Sequence, residues 1–202
     1  LDFSVNGADR AVAEFLEHSG FQVLSRWAMG STLADLGRAG SAHVNLVVSS
    51  TGLAAAKALQ ALFGTPYVVG IQMREKHGQL LLDALKNAAA TGENGFPVGT
   101  MTCGGAVLIG EAVSALSLST ALALAAGRGS RVICPTECGT ELLRPGDLQL
   151  QYEEEIAEAL AGAELVIADP LFRPICPDGV RFVPLPTEAC SGRIYRPQIP
   201  NL

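Results

Sequence analysis

Short apolar segments rich in β-branched residues alternate along this chain with segments of helical periodicity. Each apolar segment is only three to five residues long and has little polar character on either face. Strands of this kind, separated by helices, are typical of a parallel sheet that is covered by helices. The sequence therefore predicts an α/β protein. The predicted strands are residues 21–24, 44–48, 66–69, 106–109, 131–134, 165–168 and 181–183.

The alternating pattern is interrupted at residues 91–105. This stretch is rich in glycine and turn-forming residues, and the strand–helix pattern restarts after it. We therefore predict two Rossmann-like modules, 1–92 and 93–202, each a mostly parallel open sheet flanked by helices. The helix predicted behind Asn6 has no strand before it, and the chain starts without Met. The first module is accordingly expected to lack its first strand and to come from a longer polypeptide.

Composition and charge limit the class of protein. The 202 residues are 49% hydrophobic, and the formal net charge of −6 is spread without acidic or basic runs, so no nucleic-acid partner is expected. No apolar run approaches the roughly 18 residues of a membrane helix, and the first residues lack the order of a signal peptide. Five cysteines, an odd number, fit free thiols in a reducing compartment. We expect a cytoplasmic protein without membrane contact.

A turn of small polar residues follows the second predicted strand, at Ser49, Ser50, Thr51 and Gly52. Backbone N–H groups at the start of the next helix, joined by these hydroxyls, could bind an anion. The simpler interpretation is that Ser50 or Thr51 only caps that helix. A phosphate loop ending in Gly-Lys-Ser/Thr is absent, so no nucleotide triphosphate site is predicted. Because ligands of open α/β sheets bind at the carboxyl ends of strands, the turn is a candidate binding site.

Carboxylates and thiols follow the predicted strands of the second module. Converging thiolates could ligate an iron–sulfur cluster, although the sequence CPTEC is not one of the tight Cys-x-x-Cys spacings. Free cysteine also serves as a small buried hydrophobic residue. The thiols are therefore metal candidates only if they converge, whereas the carboxylates are candidates for substrate binding. These residues are Glu111, Asp169, Glu188, Cys134, Cys138, Cys176 and Cys190.

The histidines show no cysteine or histidine partner at metal-ligand spacing. His18 is predicted to end a helix, His43 to precede a strand, and His77 to lie on a polar helix face. The run Glu153, Glu154, Glu155 is interpreted as the acidic first turn of a helix rather than a catalytic pair. None of these residues predicts a metal centre.

Two longer strings resemble component 1 of the nitrogenase superfamily. Residues 43–70, HVNLVVSSTGLAAAKALQALFGTPYVVG, follow that family's order of an Asn-Leu-Val strand, a helix and a Gly-x-Pro-Tyr or Gly-x-Pro-Trp strand. Residues 152–170, YEEEIAEALAGAELVIADP, and 181–195, RFVPLPTEACSGRIY, resemble its third domain and end in the family's Ser-Gly element. The resemblance implies the second and third of three Rossmann-like domains. It adds site candidates around that element, which are Thr187, Glu188, Cys190, Ser191 and Gly192.

The same resemblance implies which residues would meet a metallocofactor. Ser49 matches the cysteine that holds the iron–molybdenum cofactor in the catalytic nitrogenase subunit, and the family's histidine ligand falls near Pro186 or Thr187. A serine oxygen and a proline do not replace a soft thiolate and an imidazole. We therefore expect no true nitrogenase activity and no metal or other cofactor in this chain alone. An iron–sulfur cluster or metallocofactor is compatible only with the full-length complex.

Two hypotheses of function follow from the sequence. The first is a nitrogenase component 1-like oxidoreductase subunit, either an electron-accepting reductase or a cofactor-maturation scaffold. Its implied partners are a homologous component 1 subunit, an ATP-dependent iron–sulfur reductase and a small-molecule substrate. The second is a two-domain α/β module without redox chemistry that binds a small anionic ligand.

Overall fold

The computed structural model describes residues 7–27, 31–73, 75–98 and 104–195 of the chain. Within them, parallel strands alternate with helices, as the sequence pattern predicts. The helices are α1 (Ala8–His18), α2 (Leu33–Arg38), α3 (Leu53–Phe63), α4 (Glu75–Thr91), α5 (Ala112–Ala126), α6 (Glu153–Ala159) and α7 (Glu188–Tyr195). The strands are β1 (Asn45–Val47), β2 (Tyr67–Val69), β3 (Ala106–Ile109), β4 (Arg131–Cys134), β5 (Leu148–Gln149), β6 (Leu165–Ala168) and β7 (Arg181–Pro184).

The chain divides into two compact units between Pro97 and Val98. This point lies inside the glycine-rich stretch 91–105. Across the described ranges, no helix combines the length and the apolar character needed to cross a bilayer.

The first unit contains a two-stranded parallel sheet. β1 and β2 pair from Asn45 opposite Tyr67 to Val47 opposite Val69, and α3 connects them. One core cluster consists of Val68 of β2 and the buried face of α4, with Leu16 of α1 packed against it. The buried residues of α4 in this core are Leu81, Leu85 and Ala88.

The strand predicted at residues 21–24 is wrong. Gly20 adopts a left-handed backbone with φ 87°, and the backbone N–H of Phe21 donates to the carbonyl of Leu16 in α1. This hydrogen bond ends the helix and directs the Phe21 side chain into the α4 core rather than into a sheet. Packing against α4 explains why this segment is apolar. The sheet of the first unit is therefore smaller than the predicted open sheet.

The second unit is an open sheet of five parallel strands in the order β5-β4-β3-β6-β7. Its core is formed by the three inner strands β3, β4 and β6 and by the α6 segment, and it includes Val107, Ile133, Ile156, Leu160 and Val166. The predicted acidic first turn of α6 is confirmed, with three glutamates at its amino end. β5 was not predicted, because two residues are too few to show a periodic pattern.

The strand order places a topological switch point between β3 and β6. From β3 the chain proceeds outward to β4 and β5, and it then returns to the other side of β3 to form β6 and β7. The connections that follow β3 and β6 therefore leave the sheet in opposite directions. In open α/β sheets, ligands bind beyond the carboxyl ends of the strands at such a point.

Candidate functional site

Two acidic residues flank the switch point at the carboxyl edge of the five-stranded sheet. Leu108 pairs with Ile167, so β3 and β6 end side by side. Glu111 follows β3 by two residues, and Asp169 follows β6 directly. Both were predicted as site residues from their positions after strands, and the structure brings both to this edge.

Glu111 caps the amino end of α5. Its Oε2 atom accepts a hydrogen bond from the backbone N–H of Ser114 at 3.0 Å and lies 3.1 Å from the Ser114 hydroxyl. The carboxylate also complements the positive end of the helix dipole. An anionic ligand at this helix end would meet a negative charge, so this position suits a ligand that donates hydrogen bonds.

Asp169 connects three segments of chain through one buried carboxylate. Its Oδ1 atom accepts from the N–H of Leu171 at 3.0 Å, at the start of the 3₁₀ segment Pro170–Ile175. Its Oδ2 atom accepts from the N–H of Thr187 at 2.8 Å and from the hydroxyl of Ser191 at 2.6 Å. The residue is only 2% exposed. Asp169 thus holds the loop after β7 and the start of α7 against the end of β6.

The Ser-Gly element lies in a kinked helix beside this carboxylate. The helical backbone of α7 is interrupted at Ser191, with φ −113° and ψ 16°. A Cβ atom on Gly192 would lie 2.9 Å from the Cδ atom of Glu188, so the Glu188 carboxylate rests directly against this glycine. Asp169, Thr187 and Ser191 share hydrogen bonds, while Glu188 and Gly192 are in contact with each other. Cys190, between them, is exposed.

The four candidate cysteines do not form a metal centre in the described structure. Within the part of the chain that the structure describes, no three His, Cys, Asp or Glu side chains are grouped so that they could hold a metal ion. The Cys176 thiol donates to the carbonyl of Phe172 at 3.2 Å and packs on the hydrophobic core. Burial raises the pKa of the Cys176 thiol, which a small buried hydrophobic role explains. Cys134 and Cys138 are neighbours at the end of β4.

In the first unit, the turn after β1 is a single 3₁₀ turn, Ser50–Gly52. The hydroxyls of Ser49 and Thr51 lie 3.1 Å apart and hydrogen-bond to each other. The prediction that Ser50 or Thr51 caps the following helix is wrong. The N-cap of α3 is Gly52, with no side-chain cap hydrogen bond, because the 3₁₀ turn places one extra turn between the hydroxyls and the helix. The turn lies at the carboxyl end of β1, as predicted.

At the positions where the sequence resemblance implies cofactor ligands, the residues present do not fit a metallocofactor. Ser49 offers a hydroxyl that already bonds to Thr51, rather than a thiolate. Pro186 is buried and has no side-chain donor atom, and the Thr187 hydroxyl lies 3.3 Å from the Asp169 carboxylate.

His77 was predicted on a polar helix face, and this is wrong. It is 1% exposed and lies on the buried stripe of α4 with Leu81 and Leu85. Among the described residues, neither ring nitrogen has a hydrogen-bond partner. Burial lowers the pKa of this imidazole, because the charged form loses its hydration. The spacing 77, 81, 85 is the signal that sequence reasoning missed, since positions four apart share one helix face.

Comparison of the chain with protein-family models, curated proteins and solved structures gave no match.

Proposed function

We propose that the chain is part of a nitrogenase component 1-like oxidoreductase subunit, an electron-accepting reductase or a cofactor-maturation scaffold. The observation that carries the proposal is the order in which the two resembling strings fold. Residues 43–70 form β1, α3 and the parallel neighbour β2, and residues 152–195 run from α6 through β6 and β7 to α7. This is the order of elements expected for the family. On this proposal both units are Rossmann-like domains.

The position of the Ser-Gly element gives further support. In the family this element follows the histidine that contacts the cofactor, so it belongs to the active edge of the third domain. Here the loop before α7 is held by Asp169 at the switch point of the sheet. We propose that a small-molecule substrate contacts this edge of the second unit. Candidate contacts are Glu111, Thr187, Glu188 and Cys190.

In the first unit, the candidate binding element is the hydroxyl turn after β1. Ser49 and Thr51 present two linked hydroxyl groups at a strand end, where a polar group of a substrate can be bound without a metal. A reductase or scaffold of this kind would bind its substrate or metallocofactor through hydrogen bonds, because Ser49 and Pro186 supply no soft ligand. True nitrogenase activity is not part of the proposal.

The proposed partners are a homologous component 1 subunit and an ATP-dependent iron–sulfur reductase, acting in the cytoplasm. The test is to tag the protein at its own chromosomal locus and to isolate it without air. Iron is measured by elemental analysis, and co-isolated proteins are identified by mass spectrometry. We expect a brown, iron-containing preparation that contains a nucleotide-binding iron–sulfur protein, and electron transfer that requires ATP.

A matched pair of variants connects this test to the hydroxyl turn. Ser49→Ala should lower turnover or substrate binding in the isolated complex. Ser41→Ala, at an exposed position of a 3₁₀ segment in the same unit, should leave both unchanged. A colourless preparation without an iron–sulfur partner, which binds a small carboxylate or phosphate in calorimetry, would instead support the non-redox binding module. Equal activity of both variants would remove Ser49 from the site.

A further inference from the structure

Cys134 and Cys138 lie together at the carboxyl end of β4. Cys134 is the last residue of that strand, and its register partner on β5 is Gln149. Register partners on parallel strands project their side chains to the same face of the sheet. The Oε1 atom of Gln149 accepts from the backbone N–H of Cys138 at 3.4 Å and lies 3.3 Å from its Sγ atom. The loop therefore returns Cys138 over the strand pair that carries Cys134.

The two thiols are direct neighbours with unequal access to solvent. The Cys134 side chain lies close enough to that of Cys138 to hydrogen-bond with it and to raise the pKa of the Cys138 thiol. Both are free thiols, with Cys134 fully buried and Cys138 partly exposed. A small thiol reagent therefore reaches Cys138 first and meets Cys134 immediately behind it.

Negative groups from two other segments face the Cys138 thiol. Burial, the Cys134 thiol and the carboxylates of Glu111 and Glu141 raise the pKa of Cys138 to about 12. Glu141 folds back over Gly139, where a Cβ atom would lie 2.7 Å from its Oε2 atom. The Cys138 thiol is therefore protonated at neutral pH, and its reactive thiolate is rare. A disulfide carries no charge, so it is compatible with these surroundings where a thiolate is not.

We propose that Cys134 and Cys138 form a reversible disulfide by exchange with a low-molecular-weight disulfide such as oxidised glutathione. The Cys138 thiolate attacks one glutathione sulfur, which breaks the S–S bond, and the released glutathione thiolate takes up a proton. The Cys134 thiol then loses its proton and attacks the Cys138 sulfur of the mixed disulfide, and a second glutathione leaves. The two cysteines are oxidised together, and one glutathione disulfide is reduced to two thiols.

The experiment uses the full chain with Cys103, Cys176 and Cys190 changed to serine, so that only this pair remains. The folded protein is incubated with oxidised glutathione, quenched with acid and mapped by mass spectrometry. We expect a peptide that has lost two hydrogen atoms, without bound glutathione. The rate should rise about tenfold for each pH unit from about pH 7 to about pH 9, because the thiolate fraction does so far below the pKa. For a free CPTEC peptide, the rate should instead stop rising at about pH 8.5, the ordinary pKa of a cysteine thiol.

Variants of the same background separate the two roles. Cys134→Ser should accumulate glutathione on Cys138, and Cys138→Ser should leave the buried Cys134 reduced. Gln149→Leu keeps both thiols but removes the acceptor that holds Cys138, so it should slow disulfide formation several-fold. A stable glutathione adduct on Cys138 beside a reduced Cys134 in the parent background overturns the proposal. So does a pair that stays reduced in the folded protein while the same protein in urea becomes oxidised.

Discussion

At the scale of single residues, Asp169 is the side chain that most strongly shapes the carboxyl edge of the second unit. We expect Asp169→Ala to lower the free energy of unfolding by about 2 to 4 kcal/mol, because a buried carboxylate that accepts several hydrogen bonds is lost and its donors stay buried. The four donors are the N–H groups of Leu171 and Thr187 and the hydroxyls of Thr187 and Ser191. Urea unfolding followed by circular dichroism measures this change.

The matched control for Asp169 is Glu154→Ala, which removes an exposed carboxylate from the first turn of α6. It should change stability by no more than about 0.5 kcal/mol. Ser191→Ala should have an intermediate effect, because it removes one of the four donors. Equal stability of the Asp169 and Glu154 variants would contradict the role assigned to Asp169.

His77 gives the first unit a dependence on pH. Burial lowers the pKa of this histidine in the folded protein below the unfolded value of about 6.5. Above that pH both states are neutral at this position, and the group adds no pH dependence. As the pH falls below about 6.5, the unfolded chain binds a proton that the folded chain resists, so stability decreases. Thermal unfolding of the whole chain between about pH 7.5 and about pH 5 measures this decrease.

We expect His77→Leu to reduce that dependence and to raise stability by about 1 to 3 kcal/mol. Leucine extends the buried stripe of Leu81 and Leu85 and leaves no buried nitrogen without a partner. His18→Leu is the control, because His18 is exposed at the end of α1 and its Nδ1 atom lies 2.7 Å from the Glu14 carbonyl. A His77 variant with the same acid sensitivity as the parent protein would show that another group is responsible.

At the scale of elements, two threonines near helix starts have different roles, although both resemble helix caps in the sequence. Thr32 forms a capping box with Asp35, each side chain accepting a backbone N–H of the other residue. Thr51 lies in the 3₁₀ turn before α3 and makes no side-chain cap. We expect Thr32→Ala to cost about 0.5 to 2 kcal/mol and Thr51→Ala at most about 0.5 kcal/mol. Chemical-denaturation curves of the two variants measure the difference. A larger loss of stability for Thr51→Ala than for Thr32→Ala would contradict these cap assignments.

At the scale of the whole molecule, the two sheets should differ in local stability. β3 and β6 are each paired on both sides within the five-stranded sheet. In the described part of the first unit, β1 pairs along its length only with β2. Native-state hydrogen exchange should therefore be slowest for amides of Val107–Ile109 and Val166–Ala168, and faster for those of β1. If the amides of β1 exchanged most slowly, packing rather than strand pairing would determine the order of exchange rates.

The strand–helix alternation could be predicted from the sequence because burial on both faces requires short apolar, β-branched segments, and that pattern is local. The positions of Glu111 and Asp169 after strands could be predicted for the same reason. The pattern gave a wrong prediction at Phe21, where the apolar segment that follows α1 packs on a helix instead of forming a strand. It was also wrong at His77, a polar residue on the buried face of α4. Both errors come from packing against other elements.

Strand order and the partners of buried polar groups were decided only by the tertiary structure. Asp169 bonds to residues 18 and 22 positions away, and the buried Arg144–Asp147 pair binds the Ser130 carbonyl and the Val132 N–H at the start of β4. Such contacts depend on which strands become neighbours. Apolar burial is nearly the same for any order of similar strands, so the sequence pattern does not distinguish the orders. Directional hydrogen bonds between distant segments do distinguish one strand order from another.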